Sequence, residues 1–181
     1  NNVPVDEFTV SDYLPGRLFE VLTLFHQGEL KVAKIYENIE YYGGSGISGV
    51  GSTPKVAKTC SDSASMQAVT ESLKAIDALS QYTRTKPNGI YHFSVKGDIE
   101  DNPCITECNI GRFPSTCGFL NQIGEYNTGE WFVRFALGDL TPGAPSNSID
   151  IEKSSIYMIR SLDQKMALLS ESAVNAFMPQ K

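Results

Sequence analysis

Positive charge is scarce in this chain: 15 Lys and Arg stand against 21 Asp and Glu, giving a net charge of -6 over 181 residues. That balance excludes the broad basic footprint by which proteins track nucleic acid. Long apolar runs are also missing. None approaches the roughly 18 residues that a membrane-crossing helix needs, so no membrane partner is expected. The four cysteines, Cys60, Cys104, Cys108 and Cys117, include no C-x2-C pair, which sets aside the common zinc sites. They are expected to be reduced core thiols of a cytoplasmic protein, with disulfides as the alternative. Histidine is rarer still, and no Ser/His/Asp or Cys/His motif of a nucleophilic enzyme stands out. There is no G-x-x-x-x-G-K-[ST] phosphate loop. Nor does a G-x-G-x-x-G sit between a strand and a helix, as a dinucleotide-binding fold requires. No internal repeat is present.

What remains is a globular composition, with 41% hydrophobic and 20% charged residues, in one domain large enough for a real core. Phe8 to Leu14 reads as a strand ending in the Pro15-Gly16 turn. Leu18 to Phe25 is a nearly continuous apolar run, as in a strand covered on both faces. The chain turns at His26-Gln27-Gly28-Glu29 and returns as a strand from Leu30 to Glu37. Tyr42 to Ser52 is a Gly-rich loop, either a phosphate cradle built from backbone N–H groups or a plain surface loop. Lys55 and Lys58 follow it, within reach of a phosphate or simply solvated. Ser63 to Tyr82 shows helical spacing in Met66, Val69, Leu73, Ile76 and Leu79, with Ser61-Asp62-Ser63 as its start. Gly89 to Val95 and Asn102 to Asn109 read as paired strands around the polar turn Gly97 to Asp101. Pro114 to Ile123 and Gly129 to Leu137 read as short helices. Leu140 to Asp150 is a loop, Ser155 to Leu162 a last strand, and the tail from Gln164 has no assigned structure. The order predicts an α+β fold with a mainly antiparallel sheet flanked by helices.

The most informative stretch is Glu107-Cys108-Asn109, followed by Gly111-Arg112-Phe113. Strand alternation puts Ile105, Glu107 and Asn109 on one face, and Cys104, Thr106 and Cys108 on the other, which looks buried. A carboxylate and an amide oxygen two residues apart make a small all-oxygen site of the kind hard cations take, alongside phosphate oxygens and water. By itself the pattern also fits a solvated edge strand entering a turn. The preceding strand puts His92 and Ser94 on one face, so His92, Glu107 and Asn109 become neighbours if the register aligns them. Arg112 has the planar fork that holds phosphate or carboxylate.

At these residues the chain resembles the C-terminal part of the ATP-grasp superfamily, in particular its carbamoyl-phosphate-synthase-large-chain-like subgroup. Members carry a polar ligand on one strand, E-x-N on the next, and then an Arg. Asp12-Tyr13-Leu14-Pro15-Gly16-Arg17 is similar to the family's hinge strand, and Tyr157-Met158-Ile159-Arg160-Ser161-Leu162-Asp163 is similar to the subgroup's closing strand. The resemblance implies an ATP- and Mg2+-dependent (or Mn2+-dependent) ligase that activates a small carboxylate as an acyl phosphate. It assigns Glu107, Asn109 and His92 to the metal and Arg112 to the transferring phosphoryl or the substrate carboxylate. Backbone groups near Tyr13 and Leu14 would meet adenine, and the mobile segment around Ile47 and Ser48 would lie near the phosphates. Two positions depart from the pattern. Leu18 stands where many members have the Glu that meets ribose, with Asp12 or Glu20 as substitutes. His92 replaces the commoner Gln or Asp, and is either a ligand or a hydrogen-bonded core histidine. These departures keep a second reading open: a non-catalytic nucleotide-binding or interaction module whose site has drifted. The resemblance further implies that residues 1–181 are the C-terminal part of an ATP-grasp domain. Their partner would be the missing N-terminal part of the same enzyme, and homo-oligomerisation is left open.

Overall fold

A strand whose two faces are both apolar must be covered on both sides, and that requirement organises this molecule. The computed structural model describes residues 11–42, 54–161 and 166–177. Strands β1 (Leu18–His26) and β2 (Glu29–Tyr41) form the central hairpin, and β3 (Pro54–Thr59) adds to β2. Helix α1 (Ser63–Thr83) is followed by the hairpin of β4 (Gly89–Gly97) and β5 (Pro103–Ile110). Then come α2 (Cys117–Leu120), α3 (Thr128–Ala136), β6 (Ser148–Ile149), β7 (Ile156–Ile159), β8 (Ala167–Ser170) and α4 (Glu171–Phe177). The sheet order is β5-β4-β1-β2-β3-β7-β8, antiparallel throughout, apart from the short β6, which pairs parallel to β2. The α+β expectation holds.

Helix α1 covers one sheet face, packing Ala68, Val69 and Ile76 against Phe19, Val21, Ile35, Phe93 and Val95. Asp62 caps it, accepting a hydrogen bond from the Ser65 N–H at 3.0 Å. Arg17 holds that capping carboxylate at 2.9 Å and Glu37 at 2.7 Å. The other face carries a second core, in which Leu22, Leu24, Val32, Tyr36 and Ile90 meet Phe119, Leu120, Ile123 and Phe135 from the α2–α3 region.

One charge sits inside this second core. Lys34 on β2 lies opposite Leu22, and its side chain is 1% exposed. Its Nζ pairs with Asp150 Oδ2 at 2.8 Å and donates to the carbonyls of Leu120 and Ile123 at 3.0 and 2.6 Å. Burial pulls the Lys34 amine below its ordinary value, against the pull of Asp150. Asp150 in turn accepts from the N–H groups of Glu125 and Tyr126, both at 2.9 Å. The cluster thus fastens the α2–α3 connection to the sheet.

Several expectations are corrected. Of the strand expected from Phe8 to Leu14, residues 8–10 lie outside the described residues, and 11–14 are irregular, with Tyr13 87% exposed; a segment with nothing to cover its apolar side chains has no reason to join the sheet. Gly16 explains where it lies instead. Its N–H donates to the Gly97 carbonyl at 2.9 Å, and a Cβ there would come within 2.7 Å of Gly97 and Asp98 backbone atoms. Helix is confined to Cys117–Leu120 within 114–123. Strand β6 lies in a segment read as loop, β8 in the tail, and β3 between the Gly-rich loop and α1, where the sequence predicts no element. Strand β5 is an exposed edge: Cys108 is exposed and Cys104 only half-buried, so neither is a core thiol. All four cysteines are free, and Cys60 alone is buried. Ile105 also leaves the Glu107 face. A register shift between Ser94 and Val95 sets it opposite Val95, whose side chain belongs to the α1 core.

Two stability predictions follow from these buried groups. Replacing Asp150 by Ala leaves the Lys34 charge and two backbone N–H groups unpaired. We expect a loss of about 3–5 kcal/mol in urea unfolding, partly recovered in the Lys34→Met/Asp150→Ala double variant. A loss below about 1 kcal/mol would place the pair outside the stabilising core. The second concerns alkaline pH. Burial, and after it the charge of Glu37, push the Cys60 thiol up to about 12. Because the folded value is raised, the unfolded chain releases this proton first. Stability present below the ordinary thiol range is therefore lost as pH rises toward 12, at up to about 1.4 kcal/mol per pH unit. Cys60→Ala should flatten that part of the stability–pH curve, and an unchanged slope would show that Cys60 does not contribute to it.

Candidate active site

On the second face, polarity changes along each strand. In β1 the face runs Leu24, Leu22, Glu20, Leu18; in β4, Ile90, His92, Ser94; in β2, Val32, Lys34, Tyr36, Asn38. The register sets Ile90 beside Leu24, His92 beside Leu22, Ser94 beside Glu20, and Glu20 beside Tyr36. Helices α2 and α3 cover the apolar end. At the polar end lies a cavity of about 660 Å³, floored by these strands and walled by Glu107, Asn109 and residues 112–115.

The register of the β4–β5 hairpin is the one the motif needs. His92 lies opposite Asn109, and Ser94 opposite Glu107. His92, Glu107, Asn109 and Arg112 all line the same cavity. Arg112 is exposed at its rim and makes no ion pair among the described residues. Tyr13 and Leu14 are not among the lining residues, and Ile47 and Ser48 lie outside the described residues. Lys55 and Lys58 are already engaged, Lys55 with Glu40 at 2.7 Å and Lys58 with Glu37 at 3.4 Å. Glu37 alternates with Tyr36 and Asn38, so Lys58 is drawn to the opposite sheet face.

The resemblance offers Glu20 only as one of two stand-ins, with Asp12, for the ribose-binding Glu; in the structure it is the centre of a polar network. Its side chain is 10% exposed and satisfied on both oxygens. Oε1 accepts from Asn38 Nδ2 at 3.0 Å. Oε2 meets His92 Nε2 at 2.7 Å and accepts from Ser94 Oγ at 2.9 Å. Its negative charge is felt nearby. Burial first, and then Glu20, push the Tyr36 and Tyr41 phenols above the ordinary tyrosine value, so both stay neutral hydrogen-bonding groups. The signal for this role was a single carboxylate in the otherwise apolar-dominated strand LFEVLTLFH, since buried charges are rare without a partner. Asn38 Oδ1 is buried without a hydrogen-bond partner among the described residues, on a side chain that lines the cavity.

The walls are tied together from behind. Arg160, just past β7, donates from Nε to the Pro54 carbonyl at 3.0 Å and from Nη1 to the Ser115 carbonyl at 3.2 Å. Pro54 and Ser115 both line the cavity. The hydroxyls of Thr116 and Tyr36 hydrogen-bond to each other, anchoring the 112–116 segment to β2. The closing-strand motif thus braces the site from outside the cavity.

The donors that face the cavity from β5 are a carboxylate and an amide oxygen. Among the described residues no group of three His, Cys, Asp or Glu converges as a self-sufficient metal centre. This donor set fits a cation that takes its remaining ligands from phosphate oxygens and water.

No family model matches the chain, and no curated protein matches it. Solved structures do. The L-amino acid ligase of Bacillus licheniformis superposes with a TM-score of 0.59 at 17% identity, covering 84% of this chain and 35% of the ligase. Biotin carboxylase of Campylobacter jejuni, solved as a beta-gamma-ATP complex, gives 0.60 at 14% identity over 82% of this chain and 30% of that one. N5-carboxyaminoimidazole synthetase of Staphylococcus aureus, complexed with ADP, gives 0.57 at 12% identity over 81% and 35%. These are ATP-grasp enzymes. The chain has the fold of one part of an ATP-grasp enzyme, and it spans about a third of the length of the proteins it matches. Among the described residues no helix is long and apolar enough to cross a membrane.

Proposed function

We propose that this chain is the C-terminal part of an ATP-grasp domain in the carbamoyl-phosphate-synthase-large-chain-like subgroup, and that the full-length protein is an ATP-dependent carboxylate ligase. The observation that carries the reading is the pairing of His92 with Asn109 and Ser94 with Glu107, which sets the E-x-N motif and Arg112 around one polar cavity. A carboxylate oxygen of the substrate attacks the γ-phosphorus of ATP, ADP leaves, and an acyl phosphate forms. An amine or other nucleophile then attacks the acyl carbon, and inorganic phosphate leaves.

The protein makes no covalent bond in this sequence, so its work is positioning and charge stabilisation. A Mg2+ or Mn2+ ion, when bound, neutralises charge on the β- and γ-phosphates. Glu107 and Asn109 would supply its protein oxygens, with His92 opposite Asn109. Arg112, free of carboxylate partners, faces the transferring phosphoryl or the substrate carboxylate with its fork. Adenine contacts from Tyr13 and Leu14 and phosphate contacts from Ile47 and Ser48 belong to the same reading.

The test is ATP turnover by the full-length protein with panels of carboxylates and amines. Glu107→Gln should lower turnover by about two orders of magnitude or more, the size typical of losing one key electrostatic stabiliser. Near-unchanged turnover would reject the metal assignment. Arg112→Lys keeps the charge but not the fork. Impairment in both Arg112→Lys and Arg112→Ala supports a bidentate contact, and rescue by Lys reduces Arg112 to a point charge. Full activity in both removes it from the site. Nucleotide binding without any turnover would favour a non-catalytic module.

A further inference from the structure

The interaction that the proposed mechanism leaves unused is the one between Glu20 and His92. We infer that it gives this cation site a nitrogen donor and a preference for Mn2+ over Mg2+, with Glu20 as the positioning residue. The inference rests on the reading above, in which Glu107 and Asn109 meet the metal.

Three observations carry it. First, the Glu20 carboxylate takes the imidazole through Nε2 at 2.7 Å while also accepting from Ser94 and Asn38. An acceptor so placed holds the ring proton at Nε2 and leaves the lone pair on Nδ1. Second, Nδ1 makes no hydrogen bond among the described residues, and His92 lines the cavity with its side chain 10% exposed. Third, β4–β5 pairing puts His92 opposite Asn109, with Glu107 two residues further along β5. A histidine that ligates a metal usually donates its other ring N–H to a carboxylate, which fixes the tautomer and orients the ring. The Glu20–His92 contact has that form. Were His92 a purely structural core residue, its second nitrogen would be expected to find a protein partner too.

The chemical consequence follows from donor type. Mg2+ demands oxygen ligands in a near-ideal octahedron, whereas first-row transition ions accept a nitrogen donor more readily, Mn2+ the least of them. Replacing one oxygen donor by a nitrogen therefore disfavours Mg2+ and keeps Mn2+, which also accepts carboxylate, amide and phosphate oxygens. The other histidine of this chain cannot substitute: His26 stacks on Phe135 at 4.9 Å and lies outside the cavity.

The test is spectroscopic. Full-length protein with 15N-labelled histidine is loaded with Mn2+ and a non-hydrolysable ATP analogue, and pulsed EPR reads 15N coupling to the ion. We expect a coupling that disappears in His92→Gln. Mn2+ binding should weaken about 10- to 100-fold in Glu20→Ala, the usual effect of losing an orienting partner. By calorimetry, His92→Gln should also shift preference toward Mg2+ by about tenfold or more. Mn2+ binding that depends on nucleotide and on Glu107 but shows no 15N coupling would overturn this inference and leave the ligase reading standing. Mn2+ binding indifferent to Glu107→Gln would overturn that reading, and this inference with it. The coupling is measured on the unsubstituted protein, so the result does not depend on the variants folding.

Discussion

The buried Lys34–Asp150 pair is the constraint on which the cavity's shape depends. A lysine surrounded by Leu22, Val32 and Tyr36 would be strongly destabilising if unpaired. It is tolerable because every donor direction it uses ends on an acceptor: one carboxylate and two carbonyls. Those acceptors come from two segments far apart in sequence, the α2–α3 connection and the residue following β6. The pair therefore acts less as a source of net stability than as a fastening, since a buried ion pair seldom outperforms well-packed apolar residues but is costly to break. With α2 held on the sheet, residues 112–116 are held at the cavity wall, and the Thr116–Tyr36 hydrogen bond completes the attachment.

The same face of the sheet supplies both core and site. Helices α2 and α3 cover only its apolar end, and where they stop the side chains become Glu20, Asn38, His92 and Ser94. Glu20, Asn38 and His92 are buried, at 8–9% residual exposure, and Ser94 is half-buried. Such burial is tolerated because Asn38, His92 and Ser94 each hydrogen-bond the Glu20 carboxylate, the charge at the centre of the network. A network of that kind holds its members in fixed orientations. That is the property a site needs when its contribution is electrostatic and must be in place before charge develops.

Much of this was legible in the sequence, for a specific reason. Strand alternation is rigid, so Tyr91-His92-Phe93-Ser94 and Glu107-Cys108-Asn109 give the faces, and the short polar turn gives the pairing. Helix α1 was equally readable, from its apolar spacing and its Asp62 cap. What was hidden depended on distant contacts. Strand β3, Pro-Lys-Val-Ala-Lys-Thr, has little periodicity of its own and forms because β2 and β7 flank it. The register shift beside Ser94 that turns Ile105 to the other face leaves no local mark. Phe8 to Leu14 reads as a strand, yet the position of residues 11–14 is set by the close approach of Gly16 to Gly97, a contact between segments far apart in sequence.

The departure at His92 reads differently once its neighbours are known. Beside a Gln, a buried Glu20 would receive an amide hydrogen bond from a side chain with no second coordinating nitrogen. Beside His92 it receives the imidazole N–H, and the other ring nitrogen makes no hydrogen bond among the described residues. Ser94 and Asn38 also donate to Glu20, which holds in place the carboxylate that the ring meets. An isolated histidine in a drifted site would not require three supporting groups from β1, β2 and β4 to agree. Their agreement argues that the position is organised around histidine rather than merely tolerant of it, and local consistency of this kind is what distinguishes a built site from an accidental polar pocket.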